Sequence, residues 1–128
     1  MLVRARMSRP AVTIRQDAEL QQALALMQKR RLRRLPVVDG DGRLAGIVVE
    51  RDLLLAATRF SGVHVELAEI MTHHVVTATP DMTLAQVART MLELRIGGLP
   101  VVENGEIVGI ITESDIFRQF VAMAQAPA

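Results

Sequence analysis

Cysteine, tryptophan and tyrosine are all missing from the 128 residues, and phenylalanine occurs only three times. Without cysteine there is no disulfide framework, no thiolate nucleophile and no thiolate metal ligand. That composition fits a reducing compartment, and the cytoplasm is the expected location. The scarcity of aromatics removes the stacking platforms on which single-stranded nucleic acids are held. Long apolar runs are missing too. Leu53 to Ala57 and Ile107 to Ile111 are five residues each, against the roughly 18 to 20 that a membrane-spanning helix needs. The opening Met1-Leu2-Val3-Arg4-Ala5-Arg6-Met7 meets arginines before a signal-peptide core accumulates, so secretion is not expected. Neither sign of charge dominates, with 15 Lys and Arg against 14 Asp and Glu. The molecule as a whole therefore offers no general attraction to polyanions, and any anion site must be local. Serine occurs only at Ser8, Ser61 and Ser114, none in a nucleophile setting, so an enzyme is not expected.

What the sequence does have is an internal duplication. At an offset of 64, Met7 meets Met71, Val12-Thr13 meets Val76-Thr77, Leu20 meets Leu84, Met27 meets Met91, and Leu35-Pro36-Val37-Val38 meets Leu99-Pro100-Val101-Val102. The turns that follow differ by one residue. Beyond them the offset is 63, and Gly46-Ile47, Glu50 and Asp52 meet Gly109-Ile110, Glu113 and Asp115. Of 45 aligned pairs 17 are identical, where ordinary composition gives about three. Half the residues are hydrophobic, ample for two small halves.

Each copy predicts the same elements. Asp17 to Arg31 and Thr83 to Arg95 carry apolar residues at helical spacing. The prolines Pro36 and Pro100 exclude helix, and the β-branched runs after them begin strands. Asn104-Gly105 is a two-residue hairpin signal with φ > 0 at both positions, and Asp39 to Gly42 is a looser reversal. Strands Leu44 to Val48 and Ile107 to Ile111 feed second helices, Arg51 to about Thr58 and Ser114 to about Ala124. With leading strands at Val12 to Ile14 and Val75 to Thr77, the unit is strand, helix, strand, strand, helix. The expected architecture is α/β (α+β): repeats 7–60 and 71–124, joined by a linker 61–70, related by a pseudo-twofold axis and packed sheet to sheet.

These residues resemble the tandem cystathionine-beta-synthase (CBS) domain pair, or Bateman module. The resemblance rests on the Met71-Thr72 opening after Glu69-Ile70, on the Leu-Pro-Val-Val strands, and on the ending Gly109-Ile110-Ile111-Thr112-Glu113-Ser114-Asp115. It covers Met7 to about Phe120. It implies a module that senses adenine nucleotides or related adenosyl ligands, such as S-adenosylmethionine, in a cleft between the repeats, and that usually dimerises. It also implies ribose contact by Asp115 and ribose or phosphate contact by Thr112. The adenine slot it implies is Val76, Thr77, Ala78, Thr79, Leu99 and Pro100, with Ile111. In the first copy the equivalents are Val12, Thr13, Ile14 and Pro36, with Asp52 on ribose and Arg51 within reach of phosphate.

The residues themselves support two readings of Thr112-x-x-Asp115. A carboxylate can accept from two adjacent hydroxyls and so hold a sugar diol. The same spacing is close to a capping box, in which Thr112 caps the helix and the acid reaches back to its backbone. The first copy has Val49 where the second has Thr112, which removes one hydrogen bond of about 1 kcal/mol. Unequal clefts are therefore expected, with the Asp115 site the stronger.

Other groups weigh against their plainer explanations. Lys29 to Arg34 places five cations in six positions at a helix C-terminus, where they complement the dipole. Arg33 and Arg34 are phosphate candidates, and Gly97 and Gly98 replace them in the second copy; a nucleic-acid role is the weaker alternative. Arg9 and its match His73 are candidates at a cleft mouth. Adjacent His73 and His74 point to opposite sides of an extended chain and make a poor metal site. The second helices carry Leu53, Leu54, Leu55 and Phe60, and Ile116, Phe117, Phe120, Val121 and Met123. Such a breadth of apolar residues predicts a homodimer through these helices. A ligand-free protein-interaction scaffold of the same fold is the alternative function.

Overall fold

In the computed structural model, which describes residues 1–125, a proline sits inside a strand of each copy, and the hydrogen-bond geometry explains why it is tolerated. The strands are β1 (Ile14–Arg15), β2 (Arg34–Val38), β3 (Leu44–Val49), β4 (Gly98–Glu103) and β5 (Glu106–Thr112). β2 and β4 thus begin two residues before Pro36 and Pro100 rather than after them. The Pro100 carbonyl accepts from Ala78 N–H at 2.9 Å. A residue's N–H and C=O leave a strand on the same side, so the donor that proline lacks would have faced the short leading segment, not the antiparallel partner β5. The long β4–β5 pairing is therefore unaffected.

The helices are α1 (Leu20–Arg30), α2 (Glu50–Arg59), α3 (Leu67–Ile70), α4 (Leu84–Leu94) and α5 (Glu113–Ala124). Thr83 and Gln86 close a reciprocal capping box at the start of α4: Gln86 N–H donates to Thr83 Oγ1 at 3.1 Å and Thr83 N–H to Gln86 Oε1 at 2.9 Å. α1 and α4 end on matched arginines, Arg31 and Arg95, both left-handed at φ 56°. Asn104 and Gly105 take φ 53° and 80°, as the hairpin signal requires. α3 lies within the segment 61–70, and Leu67 is fully buried.

The chain divides into two compact units: Val12–Val75, and Met1–Ala11 together with Val76 onward. In the first, β1 pairs parallel with β2 and β2 antiparallel with β3. Thr72 then bridges Ile47 through two hydrogen bonds, at 2.9 and 3.0 Å. In the second unit β4 pairs antiparallel with β5, Ala78 bridges Val101 in parallel, and Ser8 bridges Ile110 at 2.9 and 3.0 Å. The Met-Ser/Thr openings thus complete the sheet of the other copy in sequence. The second leading strand is a single bridge for a local reason. Gln16 N–H donates to Val38 O at 2.8 Å, whereas its match Pro80 has no N–H to extend the ladder.

Glycine is required where each opening crosses. A Cβ on Gly46 would fall 2.5 Å from Met71 Sδ and 2.8 Å from Thr72 O, and one on Gly109 would fall 2.6 Å from Ser8 O. Each unit has its own core. Leu20, Ala23, Leu24 and Met27 of α1 meet Leu35, Val37, Val48, Leu53 and Leu67 in the first. Val3, Val87 and Met91 meet Leu99, Val101 and Ile111 in the second. Both units match the expected mixed α+β class. Among the described residues, no helix is long and apolar enough to cross a membrane.

Candidate functional site

Each second helix starts directly off a strand, with no loop between. Glu113 N–H donates to Gly97 O at 3.0 Å, and its match Glu50 N–H to Arg33 O at 2.8 Å. These bonds tie each helix start to the lead-in of its unit's Leu-Pro-Val-Val strand. The third helical residue, Asp115 or Asp52, is thereby placed at the same point of each unit.

The two carboxylates differ in their hydrogen-bond partners. Asp115 Oδ2 accepts from Thr112 N–H at 2.8 Å and from Thr112 Oγ1 at 3.1 Å, and Oδ1 accepts from Arg118 Nη1 at 3.1 Å. The Asp115 side chain is 8% exposed, that of Arg118 69%. Three donors thus hold a nearly buried acid, and the acid side of the capping box is formed. For a diol to reach Oδ1, the exposed Arg118 must swing away, a rearrangement that costs little at such exposure.

In the first copy Val49 replaces Thr112 and Leu55 replaces Arg118. Asp52 makes no hydrogen bond or ion pair among the described residues. It lines a cavity of about 380 Å³. Leu55, Ala56 and Arg59 follow it on α2 and share the lining with Phe60, Ile47, Ile70 and Thr72. An acceptor, a guanidinium two turns along the same helix and apolar side chains in one lining suit a ligand with hydroxyl donors, an apolar ring and an anionic group.

A second cavity of about 350 Å³ lies between the start of α1 and the segment after α2. His64 closes one side, with Nδ1 2.8 Å from Glu19 Oε1 and Nε2 3.7 Å from Glu66 Oε2. Among the described residues no three His, Cys, Asp or Glu side chains are grouped as a metal ion would require.

The remaining candidates are dispersed by burial. Ala78, Leu99, Pro100 and Ile111 are buried, and Ala78, Leu99 and Ile111 belong to the second unit's core. Val76, Thr77 and Thr79 are exposed, Thr13 and Ile14 half-buried and Pro36 buried. Arg9, His73, Arg33 and Arg51 are exposed, and Arg34 is half-buried and already engaged. Leu53 is buried and Ile116 packs against its unit's core, so neither belongs to an outer face. Phe117, Phe120, Val121 and Met123 are 62, 69, 49 and 66% exposed.

Sequence reasoning did not single out Ala56, Arg59, Ile70 or Thr72 as partners of Asp52. Helical spacing carries the first two, because positions 52, 55, 56 and 59 share one face. The Met71-Thr72 opening is a visible motif, but nothing in the sequence pairs Thr72 with Asp52; the bridge from Thr72 to Ile47 brings it to the cavity.

The duplicated sheet-and-helix units and the paired helix-start carboxylates define a tandem-repeat α+β fold. The chain belongs to the CBS domain family, which matches residues 3–59 and 67–122. It is 34% identical over 120 residues to the L-aspartate semialdehyde sulfurtransferase of Methanocaldococcus jannaschii, a match covering 93% of this chain and 23% of that protein. To a CBS domain-containing protein of Dictyostelium discoideum it is 34% identical over 128 residues, covering 91% of this chain and 88% of that one. The crystal structure of the CBS domain pair of protein MJ0100, in complex with 5'-methylthioadenosine and S-adenosyl-L-methionine, superposes with a TM-score of 0.88. Identity there is 33%, with 96% of this chain and 98% of that chain covered. The CBS-domain containing protein ATU1752 from Agrobacterium tumefaciens gives a TM-score of 0.81 at 29% identity, with 91% of each chain covered.

Proposed function

We propose that this chain is a regulatory module that binds an adenosine-containing small molecule, AMP, ADP, ATP or S-adenosylmethionine, and carries out no chemistry on it. The observation that carries the reading is the unpartnered Asp52 carboxylate on an apolar-walled cavity of about 380 Å³. A sugar diol supplies the two donors such a group lacks. The adenosyl ligands of the MJ0100 pair, which is 33% identical, support the same ligand class. Asp115 with Thr112 is the second diol site, reached when Arg118 releases the acid. Arg51, Arg33 and Arg34 lie outside the cavity lining and are candidates only for a phosphate that projects beyond it, with His73 and Arg9 at the openings. The ligand signals by favouring one of two arrangements of the protein, since only differential affinity can shift such an equilibrium.

Isothermal titration of the full chain with AMP, ADP, ATP and S-adenosylmethionine tests this. Saturable binding is expected for at least one, weakened by Asp52→Ala or Asp115→Ala. Failure of all four to bind removes the sensing function. The second reading, a protein-interaction scaffold, is favoured by the exposed Phe117, Phe120 and Val121 of α5 and would then stand. In either case we place the chain in the cytoplasm as a homodimer joined through its second helices.

A further inference from the structure

We propose that Arg59 makes the Asp52 cavity selective for a phosphorylated adenosine ligand over the uncharged nucleoside. The inference rests on the proposed diol contact at Asp52.

Asp52 and Arg59 line the same cavity, seven residues apart on one face of α2. Two helical turns separate their backbones by about 10 Å. No hydrogen bond or ion pair joins the guanidinium to the acid. Both charges are thus left without an internal partner among the described residues, on a lining they share with Leu55, Ala56 and Ile47. A ligand that quenches both must offer hydroxyl donors at one end and an anion at the other, with an apolar ring between or beside them. A nucleotide offers this combination, and a nucleoside leaves Arg59 unanswered.

The second copy shows what happens when the arginine stands one turn away instead of two. Arg118, three residues after Asp115, bonds its carboxylate at 3.1 Å. The match of Arg59 there is Ala122, and the match of Arg118 in the first copy is Leu55. Moving one cation by a single turn thus converts an internally neutralised pair into two separated, ligand-directed charges. Arg33 and Arg51, also matched by uncharged residues, Gly97 and Ser114, add to the positive field of the first unit but do not line the cavity.

The test is calorimetric titration of the full chain with adenosine and AMP, in wild type and in Arg59→Gln, Arg59→Lys and Asp52→Asn variants. Arg59 is exposed, and urea unfolding checks that each variant is folded. Wild type should bind AMP about tenfold or more tighter than adenosine, the size of a charge-assisted contact. In Arg59→Gln the ratio should collapse to within about twofold of unity, and Arg59→Lys should keep part of it. Equal affinities in wild type, or an AMP preference surviving Arg59→Gln, overturns the role of Arg59. Loss of adenosine binding in Asp52→Asn with the AMP-to-adenosine ratio unchanged in Arg59→Gln would keep the diol contact and reject this inference alone. Failure of wild type to bind either compound rejects the contact itself.

Discussion

Replacing each helix-start acid by alanine separates its structural role from its binding role. Asp115→Ala removes an acceptor used by three donors: Thr112 N–H at 2.8 Å, Thr112 Oγ1 at 3.1 Å and Arg118 Nη1 at 3.1 Å. Losing a helix-start acceptor of this kind costs about 1 kcal/mol, within a range of roughly 0.5 to 2. The half-buried Thr112 N–H left without a partner adds up to about 1 more. The Arg118 pair contributes little, because that side chain is 69% exposed. The expected loss is thus about 0.5 to 3 kcal/mol, centred on about 2. Asp52→Ala removes an exposed acid with no hydrogen-bond partner among the described residues, and its expected effect is within about 0.5 kcal/mol. Urea unfolding of the two variants at neutral pH, without added nucleotide, measures the difference. Equal losses would refute the reasoning that Asp115 is an internal cap and Asp52 an open acceptor. A gain in stability at Asp52→Ala is compatible with it, since functional groups are often held at some cost to stability.

Gly109→Ala should push the Ser8 bridge off Ile110, because its Cβ would lie 2.6 Å from Ser8 O; a loss of about 2 to 4 kcal/mol follows from two broken backbone bonds and overpacking, and a loss below 0.5 in urea unfolding would contradict the crossing geometry. Arg95→Gly relieves a left-handed non-glycine residue at φ 56° and should stabilise by roughly 0.5 to 1 kcal/mol in the same assay. If α5 joins two copies, Phe117→Asp with Phe120→Asp should yield monomers in multi-angle light scattering, while a wild type already monomeric at high concentration ends the dimer proposal. The hydrogen bond from Arg15 lowers the Asp17 carboxyl below its ordinary 3.8. That pair therefore contributes above the ordinary carboxylate range and is lost as pH falls through the lowered value, and NMR titration of Arg15→Ala should show the Asp17 midpoint return upward.

The fold was legible wherever a local rule decided the outcome. Helical spacing placed α1 and α4, and Asn104-Gly105 placed the β4–β5 hairpin, because periodicity and φ > 0 are properties of a few adjacent residues. Strand ends were less legible. The sequence put the start of β2 and β4 after the prolines, but which side of a strand a missing donor faces depends on register, and Gly98 and Arg34 precede the prolines in the pairing. The pairing of Met7-Ser8 with the second copy's sheet was not legible at all, since both openings carry the same motif and nothing local says which sheet each will join. At the candidate site the Thr112-x-x-Asp115 pattern fitted both a cap and a diol site. In the folded chain the acid side of the cap is formed, and Arg118, one turn farther on, bonds the other oxygen, a relation visible only once α5 is known to start at Glu113.

That dependence on helix phase bears on how a duplicated module can give the same acid two different surroundings. Both copies keep the strand that delivers the acid, the glycine that lets the opening cross, and the backbone bond that fixes the helix start. These three features determine where a ligand's sugar could sit, and they are held by the core and the sheet. The groups that decide whether the acid is free, Thr112 or Val49, Arg118 or Leu55, Arg59 or Ala122, lie on the strand end and the helix face, where substitution disturbs little packing. An exposed arginine can shift by one turn at a cost within a few tenths of a kcal/mol, yet the shift changes the nearest charge of an acid whose position is otherwise unchanged. Differences in ligand charge between the two units can therefore arise without any change in fold, and they should appear as residue exchanges on α2 and α5 rather than in β2 to β5.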